Sequence, residues 1–200
     1  MSTRTLIPIV AGLLLVSAAC SNDAPPEAAG TAGAAAAPAA VPLRSSALEA
    51  AVALGVTNAH EPAPGLLTAG QITEAQMEAL VTAGYRTFVS LRLPTEQGAG
   101  WEEAYTSERK VWFMRLPISG AGDLTRGNVE ALDQILDAAG DGPIVVYCGS
   151  ANRAGALLAL RARWMDGAPP EDALALGRAA GLTRLEPDVA RLLAPAGGTP

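Results

Sequence analysis

The segment Pro143–Leu158 constrains this chain more than any other stretch. Ile144-Val145-Val146-Tyr147 is a short apolar run, Cys148 to Arg153 is a run of small residues closed by an arginine, and an Ala/Leu-rich stretch follows. The apolar run reads as a buried strand, and the Ala/Leu pattern predicts a helix from Ala154 to about Met165. That leaves Cys148–Arg153 as a tight turn. A cysteine at a strand's end, facing a helix N-terminus, lies among backbone N–H groups that favour a thiolate over a thiol. A thiolate is a nucleophile at neutral pH. Arg153 adds a planar fork of donors suited to an oxyanion. The plainer alternative is a core cysteine beside a surface arginine, and it leaves the combination unexplained.

Strand and helix patterns alternate through the rest of the chain. Strands are predicted over Thr87–Leu91, Val111–Leu116 and Ile144–Tyr147, with a short strand or turn at Leu66–Gly70. Thr73 and Gln76 have capping-box spacing, which opens a helix running to about Ala83. Further helices are predicted over Glu102–Arg109, Arg126–Ala139, Pro170–Ala180 and Glu186–Leu193, and a short one near Leu48–Leu54. This alternation implies a single α/β domain: a central, mostly parallel sheet flanked by helices, with active loops at the strands' carboxyl ends. Cys148 falls at such an end. His60 is expected in a loop and Trp101, Trp112 and Trp164 in the core; Arg92 and Glu96 follow a strand's carboxyl end, where they either line the pocket or, the preferred reading, pair with each other on the surface.

The front of the chain is of a different kind. Arg4 precedes an apolar or small stretch, Leu6–Ala19, whose 14 residues are fewer than the ~20 that span a membrane. Val16-Ser17-Ala18-Ala19-Cys20 resembles the end of a bacterial lipoprotein signal, which implies cleavage before Cys20, lipidation of Cys20 and export to face the periplasm. Ser21 in place of Asp favours the outer membrane by the same resemblance. An ordinary secretory signal cleaved nearby and an uncleaved anchor are the other readings. Residues 1–19 are thus expected as signal, 20–44 as an Ala/Pro-rich tether, 45–195 as the folded domain and 196–200 as a tail. With Cys20 lipidated, Cys148 is a lone thiol in an oxidising compartment, a mark of reactivity.

Charge and composition exclude other classes. Of 14 Lys and Arg residues only Arg4 lies within the signal, so the mature chain has 13 basic against 20 acidic residues and a net charge of −7. No basic run exists, and nucleic acid is not an expected partner. One histidine and one thiol in the domain give no metal-ligand set of familiar spacing, and no cofactor is expected.

Three further stretches carry a resemblance: Ala69-Gly70-Gln71-Ile72-Thr73, Phe88-Val89-Ser90-Leu91-Arg92 with Glu96, and Gly181-Leu182-Thr183-Arg184-Leu185-Glu186-Pro187. Together with Cys148–Arg153 they resemble the beta-lactamase-hydrolase-like phosphatase family, within the cysteine-dependent tyrosine and dual-specificity phosphatase superfamily. The resemblance implies that Cys148 attacks phosphorus to form a phosphocysteine. It implies that amides of Gly149, Ser150, Ala151, Asn152 and Ala154, with Arg153, bind the phosphoryl oxygens. Asp123, in a loop between a strand and a helix, is the implied general acid. The expected partner is a small-molecule or protein phosphate substrate, and the only membrane contact is the N-terminal lipid.

The chain departs from the superfamily pattern at three points. Four residues rather than five separate Cys148 from Arg153, Tyr147 stands where His precedes the cysteine, and Ala154 stands where a hydroxyl residue follows the arginine. Four intervening residues resemble rhodanese-type sulfurtransferases, in which Cys148 would carry a persulfide from a sulfane-sulfur donor. A third reading is an anion-binding or phosphoprotein-binding domain without turnover. Fold does not choose among them.

Overall fold

The computed structural model describes residues 46–194. The expectations for the signal, Cys20, the tether and the tail lie outside the described residues. Among the described residues five strands form one sheet: β1 (His60–Ala63), β2 (Leu66–Ala69), β3 (Thr87–Ser90), β4 (Trp112–Arg115) and β5 (Ile144–Tyr147). Their order is β1-β2-β5-β3-β4; β1 runs antiparallel to β2 and every other pairing is parallel. β5 lies at the centre, between β2 and β3. Among the described residues seven helices accompany the strands: α1 (Ser46–Ala53), α2 (Glu74–Thr82), α3 (Glu102–Arg109), α4 (Arg126–Ala139), α5 (Asn152–Trp164), α6 (Pro170–Ala179) and α7 (Glu186–Leu193).

The period of two along β5 divides the core. Val145 and Tyr147 pack with Leu67, Met77, Leu80 and Phe88 on the side covered by α1, α2 and α3. Ile144, Val146 and Cys148 pack with Val89, Leu132 and Leu157 on the side covered by α4 to α7. All four residues of β5 are buried, which is why its sequence is continuously apolar. The sheet with helices on both faces is the architecture the alternation implies. The capping box opening α2 forms in full: Thr73 Oγ1 accepts from Gln76 N at 3.2 Å, and Gln76 Oε1 accepts from Thr73 N at 2.9 Å.

Several local expectations are corrected. His60 lies in β1 rather than a loop. The His-Glu-Pro-Ala run hides a strand because Pro62 cannot donate to a ladder, so the run survives only at a sheet edge. α5 begins at Asn152, two residues before the predicted start. Ala151 makes this possible by adopting a left-handed conformation, φ 64°, which completes the turn early. Trp112 is exposed on edge strand β4, whereas Trp101 and Trp164 pack against the two cores. Arg92 does pair with Glu96, at 3.2 Å, but the arginine is buried rather than on the surface.

Candidate active site

Cys148 follows the central strand, where the parallel sheet turns its carboxyl ends toward one rim. Cys148 N donates to Ala69 O at 3.1 Å, which extends the β2–β5 ladder by one step. The loop then lifts away, and three contacts set its path. Gln71 N donates to Gly149 O at 3.4 Å, Gly70 pairs with Ser150 as an isolated bridge, and Asn58 Nδ2 donates to Ser150 O at 3.2 Å. Ser150 N comes back to within 3.5 Å of Cys148 Sγ. The sulfur is fully buried, while Gly149 and Ser150 line a cleft of about 570 Å³.

Arg153 is the second position in α5, and its side chain returns across the loop. Nη1 donates to Ile118 O at 2.6 Å, to Leu91 O at 3.3 Å and to Glu96 Oε1 at 2.7 Å. Nη2 donates to Glu96 Oε2 at 2.9 Å, completing a two-point ion pair. The loops after β3 and β4 are thereby tied to α5 through one guanidinium. Nη2 also lies close to the cysteine loop: a Cβ built on Gly149 would be 3.4 Å from it. Hydrogen bonding to Glu96, and then the charge of Cys148, raise the Arg153 pKa. The guanidinium is permanently charged and aimed before any ligand arrives.

Glu96 takes both of the places open to it, lining the cleft and pairing with Arg92. Besides Arg153 it accepts from Arg92 Nε at 3.2 Å and from Leu93 N at 2.8 Å. These donors, Arg153 foremost, hold its carboxyl down at a pKa of about 2. The Arg92-to-Glu96 spacing signalled a pair, but nothing local pointed across to Arg153.

The cradle residues behave differently from one another. Ala151 and Ala154 are fully buried. The Asn152 side chain is turned away from anion binding: its Oδ1 accepts from Thr183 N at 2.8 Å, Thr183 Oγ1 at 3.1 Å and Leu185 N at 3.2 Å. It clamps the turn after α6 against the start of α5. Asp123 ends a single 3-10 turn, Ala121–Asp123, in the loop after β4. Its Oδ2 accepts from Ser119 N at 2.7 Å and from the Ser119 hydroxyl. Ser119 and Gly120 line the cleft beside Arg153. The Ser119 hydroxyl, and then its N–H, lower the Asp123 pKa.

Tyr147 sits where the superfamily has histidine, and it points to the other side of the sheet. Its hydroxyl donates to Glu102 Oε1 at 3.0 Å in the interior. Burial first, and then the Glu102 charge, raise its pKa. Glu102 Oε2 meets Arg115 Nη2 at 3.0 Å, and Arg115 Nη1 donates to Ser90 Oγ at 3.3 Å and Arg92 O at 3.2 Å. This buried network fastens the ends of β3, β4 and β5 together below the site. Among the described residues no group of three or more His, Cys, Asp and Glu side chains could hold a metal.

Residues 51–181 match the family model described as DSP-PTPase phosphatase fused to NAD+ kinase. The chain belongs to this DSP-PTPase family. The matched span contains the whole sheet, Cys148, Arg153, Glu96 and Asp123. Solved structures share the architecture. A DUF442 protein of Shewanella putrefaciens CN-32, described as a phosphatase, superposes with a TM-score of 0.58 at 18% identity, covering 73% of this chain and 95% of that one. P. aeruginosa TpbA, in complex with phosphotyrosine, gives 0.54 at 19% identity, covering 70% and 85%. A Neisseria meningitidis Z2491 protein described as a phosphatase gives 0.54 at 22% identity, covering 65% and 94%. At these identities the likenesses establish the fold. Comparison with curated proteins yields no match. The matched span holds the loop from Cys148 to Arg153, with four residues between them, and the left-handed Ala151 stands directly before α5.

Proposed function

We propose that this chain hydrolyses phosphomonoesters through Cys148. The thiolate attacks phosphorus, the P–O bond to the leaving alcohol breaks, and a phosphocysteine forms; water then releases phosphate and returns the thiolate. Arg153 and the amides of Gly149 to Ala154 bind the three phosphoryl oxygens, more strongly as charge builds on them. The observation that carries this reading is the guanidinium of Arg153, locked by Glu96 and two carbonyls in the cleft that Gly149 and Ser150 line, with the charge of Cys148 acting on it. Asp123 is proposed to protonate the leaving oxygen. Ser119 holds it ionised in the resting site, and a bound phosphate dianion nearby favours its protonation.

A paired assay on the reduced full chain tests this. Release of p-nitrophenol from p-nitrophenyl phosphate should vanish in Cys148→Ser, and Asp123→Asn should lower kcat by about a hundredfold. An unchanged kcat would make Asp123 a brace for the Ser119 loop. The four-residue spacing favours a second reading, sulfur transfer through a Cys148 persulfide. Cys148-dependent thiosulfate-to-cyanide transfer without phosphate release would establish it and reject the first.

We also propose that Cys20 carries lipid and that residues 20–44 hold the domain off a membrane facing the periplasm. The support is the signal-like run ending Ala18-Ala19-Cys20. Labelled palmitate should enter the expressed protein and be lost in Cys20→Ala. Equal labelling of both would reject lipidation at this position.

A further inference from the structure

A second cavity, of about 420 Å³, adjoins the first. Asn58, His60, Arg178, Gly181 and Thr183 line it, and it shares Ser150 and Arg184 with the cleft beside Arg153. Arg184 therefore stands where the two spaces meet. The residue is exposed, and among the described residues its side chain makes no hydrogen bond or ion pair. Arg178, by contrast, is committed to Glu186 through Nε at 3.1 Å and Nη2 at 2.5 Å.

The backbone under Arg184 is held firmly. Asn152 Oδ1 accepts from Thr183 N and Leu185 N on either side of it, at 2.8 and 3.2 Å. Gly181, with φ 93°, lets the turn approach so closely that a Cβ there would lie 2.6 Å from Ala151 Cβ. The turn bearing Arg184 and the loop bearing Cys148 are one packed unit, so the cation has a defined place relative to the nucleophile.

Charge in the two spaces runs against the rest of the molecule. The chain has 20 acidic and 14 basic residues, yet among the described residues the only acid lining either space is Glu96, and Arg92 and Arg153 neutralise it. His60, kept neutral by burial, Asn58 and Thr183 add uncharged polar groups. A low-dielectric concavity lined by one sign of charge focuses its field on ligands of the other.

We infer that Arg184 and the adjoining cavity form a second anion subsite. Resting on the phosphatase reading, this assigns the substrate class: a small organic phosphomonoester carrying a second phosphate or carboxylate, which Arg184 holds while the first phosphate meets Arg153 and Cys148. Arg184 is a specificity residue and takes no part in the bond exchange. A charge-assisted contact of this kind shifts affinity by on the order of tenfold or more.

The test is calorimetric binding of fructose 6-phosphate and fructose 1,6-bisphosphate to the full chain bearing Cys148→Ser. The bisphosphate should bind at least about tenfold more tightly. Adding Arg184→Ala should bring the ratio of the two dissociation constants close to one, and Arg184→Glu should invert the preference. Arg184 is exposed, and unchanged thermal unfolding of both variants checks that they fold. An equal ratio in parent and Arg184→Ala, no preference in the parent, or no binding of either sugar phosphate would overturn the inference. Phosphate release by the unsubstituted chain is followed separately. Its absence beside an Arg184-dependent preference would reject the phosphatase reading and leave the anion subsite standing.

Discussion

Arg153 can serve a phosphoryl group only if its fork is aimed, and Glu96 does most of the aiming. A long arginine side chain free to rotate would lose that orientation each time a ligand left. The carboxylate fastens both Nη atoms, at 2.7 and 2.9 Å, while Leu93 N and Arg92 Nε fasten the carboxylate. Glu96→Gln keeps the shape but loses the charge and one acceptor. Its kcat/KM for p-nitrophenyl phosphate should fall by about ten- to a hundredfold, since small misplacements of a catalytic group cost that much. Arg153→Lys, which also loses the planar fork, should fall further, by roughly a hundred- to a thousandfold. A Glu96→Gln variant with full activity would mean that the carbonyls of Leu91 and Ile118 suffice to hold the guanidinium.

Between elements, the tightest contact is α5 on α6, and it sits directly behind the cysteine loop. A Cβ on Gly155 would lie 2.4 Å from Leu182 N and 2.6 Å from Gly177 O, both backbone atoms. One on Gly177 would lie 2.8 Å from Ala159 Cβ. The two helices touch backbone to backbone because both faces present glycine. Gly155→Ala cannot be absorbed by a rotamer change, so α6 or the turn after it must move. Overpacking of this kind costs about 2–3 kcal/mol, and the melting temperature should drop by roughly 5–10 °C in calorimetry. Because the displaced turn carries Thr183 and Leu185, which Asn152 grips, the cysteine loop should loosen too and activity should fall with stability. A melting temperature within a degree of the parent's would show that the contact has slack.

Across the whole molecule, what could be read in advance was what repeats locally. The Arg126–Ala139 helix, the Thr73–Gln76 box and the Ile144–Tyr147 run each carry their own period or cap, and each element formed. The elements missed depend on distant partners. Ala151 turns left-handed against Gly181, and Glu96 finds Arg153 at a separation of 57 residues. Burial and charge-assisted hydrogen bonds set how stability responds to acid. His60, whose pKa burial lowers from 6.5, is neutral when folded and takes a proton more readily when unfolded. Stability should therefore begin to fall as pH drops below about 6.5. Glu96 adds a second loss: its folded pKa of about 2 lies below the ordinary 4.5, so its contribution is complete above 4.5 and disappears as pH falls toward 2. Glu103, held down first by Arg115, and Asp123, held down first by Ser119, lose stability in the same direction. Urea midpoints measured from pH 7.5 to pH 2.5 should then decline in two stages. His60→Gln should remove the upper stage, and the difference between Glu96→Gln and the parent should be constant above pH 5 and shrink below 4.5. A difference that stayed constant down to pH 2.5 would mean that Glu96 titrates alike in both states, and that its ion pair with Arg153 positions the arginine without stabilising the fold.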